Sequence, residues 1–314
     1  MQKRKKPIGK RRMARLRRQL RMLATAVMIL AFAVAVVLIG IEIWENVQAK
    51  ALKEELEDLY RPHFSSAARW QGWIGTARAE EELPEKERAD EAQFAQELGI
   101  QEDFLALYDK NPDIIGWLTA GEDIDYPVVQ REDDNAYYLN HNYYGKPDSN
   151  GTIFLNAHNV IYPRDHVLLI HGHFMRKKGM MFGKLPDYMN EMYMRRYALI
   201  TFRTIYDEEE VYYVPIACFN ASMLADQNGY FDLTPVNFET EEDCAAYLIE
   251  VQERSLWQSP ADVNTKDELM MLITCSYEHE DGRFMLLCRK LREDETPEEM
   301  AVLFQQNKSK KATD

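Results

Sequence analysis

Cysteine is scarce: Cys218, Cys244, Cys275 and Cys288 are the only four in 314 residues. So few exclude a fold built on a disulfide framework, and they raise the question whether one thiol is a nucleophile. Acidic residues are absent from the first 21 positions, which hold 11 Lys or Arg. Charge of either sign is absent from the next 20 residues, Met22 to Ile41. The chain also lacks an internal repeat and a regular alternation of strands and helices, so neither a repeat array nor a parallel α/β sheet is indicated.

What is present divides into unlike regions. Hydrophobic residues make up 46% of the chain, enough for a packed core, while the part beyond the basic segment carries 27 basic and 52 acidic residues, a formal charge of −25. A 20-residue helix spans about 30 Å, the thickness of a bilayer's hydrocarbon core. The apolar run therefore reads as a membrane span, with Trp44 as an interfacial anchor and the basic N-terminus held in the cytoplasm. A buried soluble helix is the blander reading, and the asymmetric flanks argue against it. A cleaved signal peptide also competes, since Val47-Gln48-Ala49 offers a small-residue cleavage site. The run exceeds the ~7–15 residues of a signal core, so an uncleaved anchor is expected. Binding of nucleic acid is not, because the acidic exterior repels phosphate backbones.

The organisation expected is a basic segment over 1–21, a transmembrane helix over 22–41, a stalk and helical lead-in over 42–100, a catalytic domain over 101–292 and a tail over 293–314. Ala49 to Leu59 has a helical composition that ends at Arg61-Pro62, and the apolar positions around Phe94, Leu98 and Phe104 fit short helices. Short β-prone runs follow at 126–130, 152–155, 167–170, 197–204, 210–219, 269–275 and 284–291. Thr240-Glu-Glu-Asp243 resembles a capped helix start, and Ala245, Leu248, Ile249 and Val251 give an apolar stripe through about Trp257. Many short strands with one inserted helix predict a mainly β barrel or sandwich.

Cys275 ends a β-prone run, before a turn that leads to Arg283. Taken alone, such a cysteine is more often an inert buried thiol, and a turn arginine is more often solvated. His171-Gly172-His173 also ends an apolar run, where a packed histidine or a metal ligand are the alternatives; neighbouring histidines show no recognised zinc spacing. Together the three residue types suit acyl transfer. A thiolate attacks a carbonyl, histidine moves protons to and from an amine, and arginine donates to a developing oxyanion.

Met271-Leu-Ile-Thr-Cys275 followed by Arg283 resembles the sortase signature Thr-Leu-x-Thr-Cys followed by arginine, and Leu168 to Met175 resembles that family's histidine strand. Asn111-Pro-Asp-Ile-Ile-Gly-Trp-Leu118, Asp125-Tyr-Pro-Val-Val-Gln130, Tyr138-Leu-Asn-His141, Gly151-Thr-Ile-Phe-Leu155 and Gly179-Met-Met-Phe-Gly-Lys-Leu185 are similar to class B sortases, cysteine transpeptidases of Gram-positive bacteria. The resemblance runs from about Phe104 to Leu291. It implies an eight-stranded sortase-type β-barrel with N-terminal helices and a helix before the nucleophile strand. It implies Cys275 as nucleophile, His173 as general acid/base, Arg283 as oxyanion and substrate clamp, and Thr274 and Leu272 as substrate contacts. No metal or cofactor is expected. The implied partners are surface proteins bearing a sorting signal and an amine acceptor from a peptidoglycan precursor or a pilin. Met271 stands where the signature has threonine, which predicts altered packing or substrate contact. His171 stands where tyrosine is familiar, so it could share or perturb the catalytic role. Cys288 could approach Cys275 across a hairpin, which would make a disulfide there a redox switch.

Overall fold

The computed structural model describes residues 8–60, 99–176, 178–276 and 281–306. Most of the expected lead-in (61–98, with Phe94 and Leu98) and the end of the expected tail (307–314) lie outside the described residues. The chain divides into two compact units, Met1–Leu52 and Lys53–Asp314.

Helix α1, Ile8–Leu59, contains the apolar run, and from Met22 to Ile41 it is exposed throughout. By length and composition it can cross a membrane. Its last residues belong to the second unit. There Lys53 donates to the Asp123 carbonyl at 3.1 Å and lies over the Tyr126 ring, while Glu55 accepts from the Tyr144 hydroxyl at 2.6 Å. Just beyond the helix, Tyr60 stacks on Trp117 with centroids 4.4 Å apart.

The second unit is a closed barrel of eight strands. Helix α2 (Leu105–Lys110) leads into β1 (Ile114–Ala120), β2 (Ile124–Val129), β3 (Phe154–Leu155) and β4 (Val167–His171). A small separate hairpin, β5 (Phe174–Met175) and β6 (Met180–Met181), precedes α3 (Glu191–Arg196). The barrel resumes with β7 (Ile200–Thr204) and β8 (Tyr212–Ser222), then α4 (Glu241–Arg254), β9 (Leu269–Ser276) and β10 (Gly282–Lys290). The strand order is β1-β2-β3-β4-β9-β10-β8-β7, closing on β1. The predicted barrel is therefore present, with its helix before β9.

Local chemistry accounts for these elements. Thr240 caps α4 by accepting from the Asp243 amide at 3.1 Å, and Glu241, Glu242 and Asp243 fill the electropositive first turn. Cys244, Tyr247, Leu248 and Val251 of α4 cover the outer face of the sheet, packing with Leu169, Phe219, Met271, Ile273 and Leu287. The opposite faces of the same strands, including Leu168, Cys218, Leu272 and Leu286, fill the barrel interior. Burial on both faces explains why Val167–Ile170 and Leu269–Ile273 read as continuous apolar runs rather than alternating ones. Met271 is fully buried in the outer cluster, so its replacement of threonine concerns packing and not substrate.

Two corrections follow. The expected tail contains helix α5, Pro297–Gln306, whose Met300 and Phe304 are buried in the barrel core. The Lys- and Gln-rich end hid an apolar stripe. Cys288 is paired in register with Met270, whereas Cys275 is paired with Arg283, five positions along the same ladder. At about 3.3 Å per residue that separates the two far beyond disulfide reach, and Cys288 is a free thiol in the core.

Phe304→Ala is expected to destabilise the second unit by about 3–5 kcal/mol, the cost of emptying a core aromatic site. Chemical denaturation measures this; a change within ~0.5 kcal/mol would mean that α5 is not part of the core.

Candidate active site

Strand β9 carries the candidate nucleophile, and its two neighbours bring the other residues. It runs parallel to β4, with His171 beside Ile273, and antiparallel to β10, with Arg283 directly opposite Cys275. The paired register of β4 with β9 ends at His171, and His173 lies two residues further along the chain. Cys275 is the one exposed cysteine of the four; Cys218, Cys244 and Cys288 are buried. Burial pushes the Cys218 thiol up to about 12 and raises those of Cys244 and Cys288, so these three stay protonated and inert.

The segment after β4 is tightly held. Gly172 donates its amide to the Ile273 carbonyl at 3.1 Å and accepts from the Thr274 hydroxyl at 2.8 Å. A Cβ on Gly172 would meet the Phe182 ring at 2.7 Å, so only glycine admits this approach. The His173 carbonyl accepts from the amides of Met175 and Phe182, both at 3.1 Å, which ties it to the β5–β6 hairpin. Its ring nitrogen Nε2 lies 2.7 Å from the Leu139 carbonyl. A carbonyl only accepts, so Nε2 carries the proton in the neutral ring and Nδ1 keeps the lone pair. Gly151, at φ +63°, underlies the same contact; a Cβ there would come within 3.0 Å of His173 Cδ2.

Arg283 is part-buried and held at the turn. Its Nη1 lies 2.8 Å from Asp281 Oδ1 and donates to the Gly282 carbonyl at 3.0 Å. Asp281 adopts φ +46°, a conformation uncommon for a residue with a side chain.

Leu272 and Thr274, expected as substrate contacts, are held in packing. Both are buried, at 0% and 2% exposure, and alternation along β9 turns them away from the face of Cys275. Leu272 fills the barrel interior and Thr274 fastens β9 to Gly172. His171 is brought to the face of Cys275 and Arg283, where burial, and secondarily the Arg283 charge, lowers its pKa to about 4. It is therefore neutral near pH 7, and a poor proton acceptor. The contributions of Leu139, Gly151 and Asp281 were not anticipated: each acts through backbone geometry or a local ion pair that residue type alone does not signal.

No protein-family model matches the chain. Two curated relatives do. Sortase B of Listeria monocytogenes is 29% identical over 190 residues, covering 60% of this chain and 73% of that protein. Sortase B of Staphylococcus aureus is 26% identical over 196 residues, 62% of this chain and 76% of that protein. Among solved structures, Clostridium perfringens sortase B aligns with TM-score 0.51 and 26% identity, over 59% of this chain and 98% of that structure. Sortase B from B. anthracis aligns with TM-score 0.53 and 26% identity, over 62% and 86%. The fold is the sortase barrel, and the relatives and solved structures named here are sortases. All four are sortase B proteins, so the class B resemblance seen in the sequence motifs is matched by similarity in sequence and fold.

Gly151→Ala is expected to cost about 1–3 kcal/mol, since alanine is strained at that φ. It should also shift the His173 imidazole resonances in NMR spectra. Unchanged His173 resonances would mean that Gly151 does not set the ring's position.

Proposed function

We propose that this protein cleaves a C-terminal sorting signal through a thioester on Cys275 and transfers the surface protein to an amine. The observation that carries the reading is the pairing of exposed Cys275 opposite Arg283, with His173 following the strand on the other side. In this reading the Cys275 thiolate attacks the scissile backbone carbonyl, and Arg283 donates N–H groups to the oxyanion that forms. Collapse breaks the C–N bond. His173, holding its second proton on Nδ1, gives that proton to the departing amine. An incoming amine then attacks the thioester, passes a proton back to Nδ1, and releases Cys275 with a new amide bond. The Leu139 carbonyl supports this cycle by holding Nε2–H, so that Nδ1 is the atom that exchanges protons.

The acceptor is an amine of a peptidoglycan precursor or a pilin, and the signal is of the Asn-Pro-x-Thr type suggested by the class B resemblance or of the Pro-x-Thr-Gly type. We read the 101–292 region, extended by α5, as the catalytic domain. The apolar part of α1 is read as a single membrane anchor, with the basic N-terminus cytoplasmic and the catalytic domain outside.

Incubating the protein with a sorting-peptide library and an amine, with products read by mass spectrometry, tests the proposal. The expected outcome is a covalent adduct on Cys275 and an amine-linked product, both lost in Cys275→Ala. His173→Ala and Arg283→Ala should each lower kcat/KM by about 100-fold or more. Full turnover in Cys275→Ala would refute the mechanism, and hydrolysis alone despite abundant amine would make the protein a cysteine peptidase.

A further inference from the structure

On the face of the sheet that carries Cys275 lies a buried polar atom with no partner among the described residues. His171 closes β4, its ring stacked on Phe154 with centroids 5.2 Å apart and planes at 18°. It stands beside Ile273, which is itself paired with Met285, so His171, Cys275 and Arg283 share one face of three adjacent strands. Nε2 of His171 is buried and makes no hydrogen bond among the described residues. A native structure leaves few such atoms, and each calls for a physical account. The ring is neutral near pH 7, so it carries one N–H and one lone pair. The Arg283 charge on the same face favours the lone pair on inward Nε2 and the proton on Nδ1.

Arg283 has donors to spare. Among the described residues its partners are Asp281 and the Gly282 carbonyl, and both engage Nη1. A guanidinium has five N–H groups, and one held by its own turn is not yet committed to the face of Cys275. We propose that His171 is a positioning residue for Arg283: its Nε2 accepts a guanidinium N–H and holds the arginine beside Cys275 once Asp281 releases it. Asp281 at the turn and His171 on the strand are thus alternative acceptors, one for a resting and one for an engaged arginine. The inference deepens the transpeptidase reading and rests on it.

The test is single-turnover acylation of the full chain, with the Cys275 thioester read by mass spectrometry and Asn-Pro-x-Thr and Pro-x-Thr-Gly peptides as probes. His171→Phe keeps a stacked ring and removes both nitrogens. Its saturating acylation rate should fall about tenfold, while the half-saturating peptide concentration stays within about twofold. His171→Gln, which restores an acceptor, should recover most of the rate. In an Arg283→Lys background, His171→Phe should cause no further loss. Equal losses in His171→Phe and His171→Gln, losses that multiply with Arg283→Lys, or no loss at all would overturn the proposal. Should His171→Phe fail to fold, His171→Leu serves the same comparison. Wild-type protein that forms no thioester with either peptide overturns the transpeptidase reading and this proposal with it, whereas the other patterns overturn the proposal alone.

Discussion

The site depends on β9 being hydrogen-bonded along both edges. Its parallel partner β4 and antiparallel partner β10 bring His173, Cys275 and Arg283 to one end of the barrel, although about a hundred residues separate the histidine from the cysteine. A one-residue slip of β9 would turn Cys275 to the interior and Thr274 outward. The two-sided apolar burial of β9 opposes that slip, because Met271 and Ile273 pack under α4 while Met270 and Leu272 fill the barrel. The placement of Cys275 is in this sense a packing result.

Charge is used in the same way at the other end of β10. Arg289, fully buried, is held by Glu295 through two contacts of 2.6 Å and by the Asp262 carbonyl at 2.7 Å. Removing one member of such a buried pair costs more than the pair itself contributes, so the contact fixes the exit of β10. Near the barrel's entry, Arg203 on β7 is paired with buried Asp103 just before α2. Both pairs join an end of the second unit to its barrel.

The strands around the thiol were legible because burial on both faces leaves long apolar runs, and α4 because Thr240 and three acids mark its start. Strand β1 was seen only as part of a family landmark. Gly116 interrupts its β pattern, and the structure supplies the reason: a Cβ there would strike the backbone of β7 and the Phe202 ring. Helix α5 was missed because the polar end of the chain masks its apolar stripe. The His173–Leu139 contact was not legible at all, since a backbone carbonyl 34 residues away has no side-chain signature. The core position of Leu272 was not legible for a related reason: closeness in sequence to Cys275 says nothing about which face of a strand a side chain takes.

The unequal exposure of the four cysteines has a practical side. Three thiols are walled into apolar packing and one stands at the surface, so a thiol-selective dye, spin label or electrophile should mark the folded chain at a single place. No cysteine need be engineered away first. Labelling stoichiometry then becomes a gauge of folding: one equivalent for an intact barrel, rising toward four as the walls around the other thiols give way.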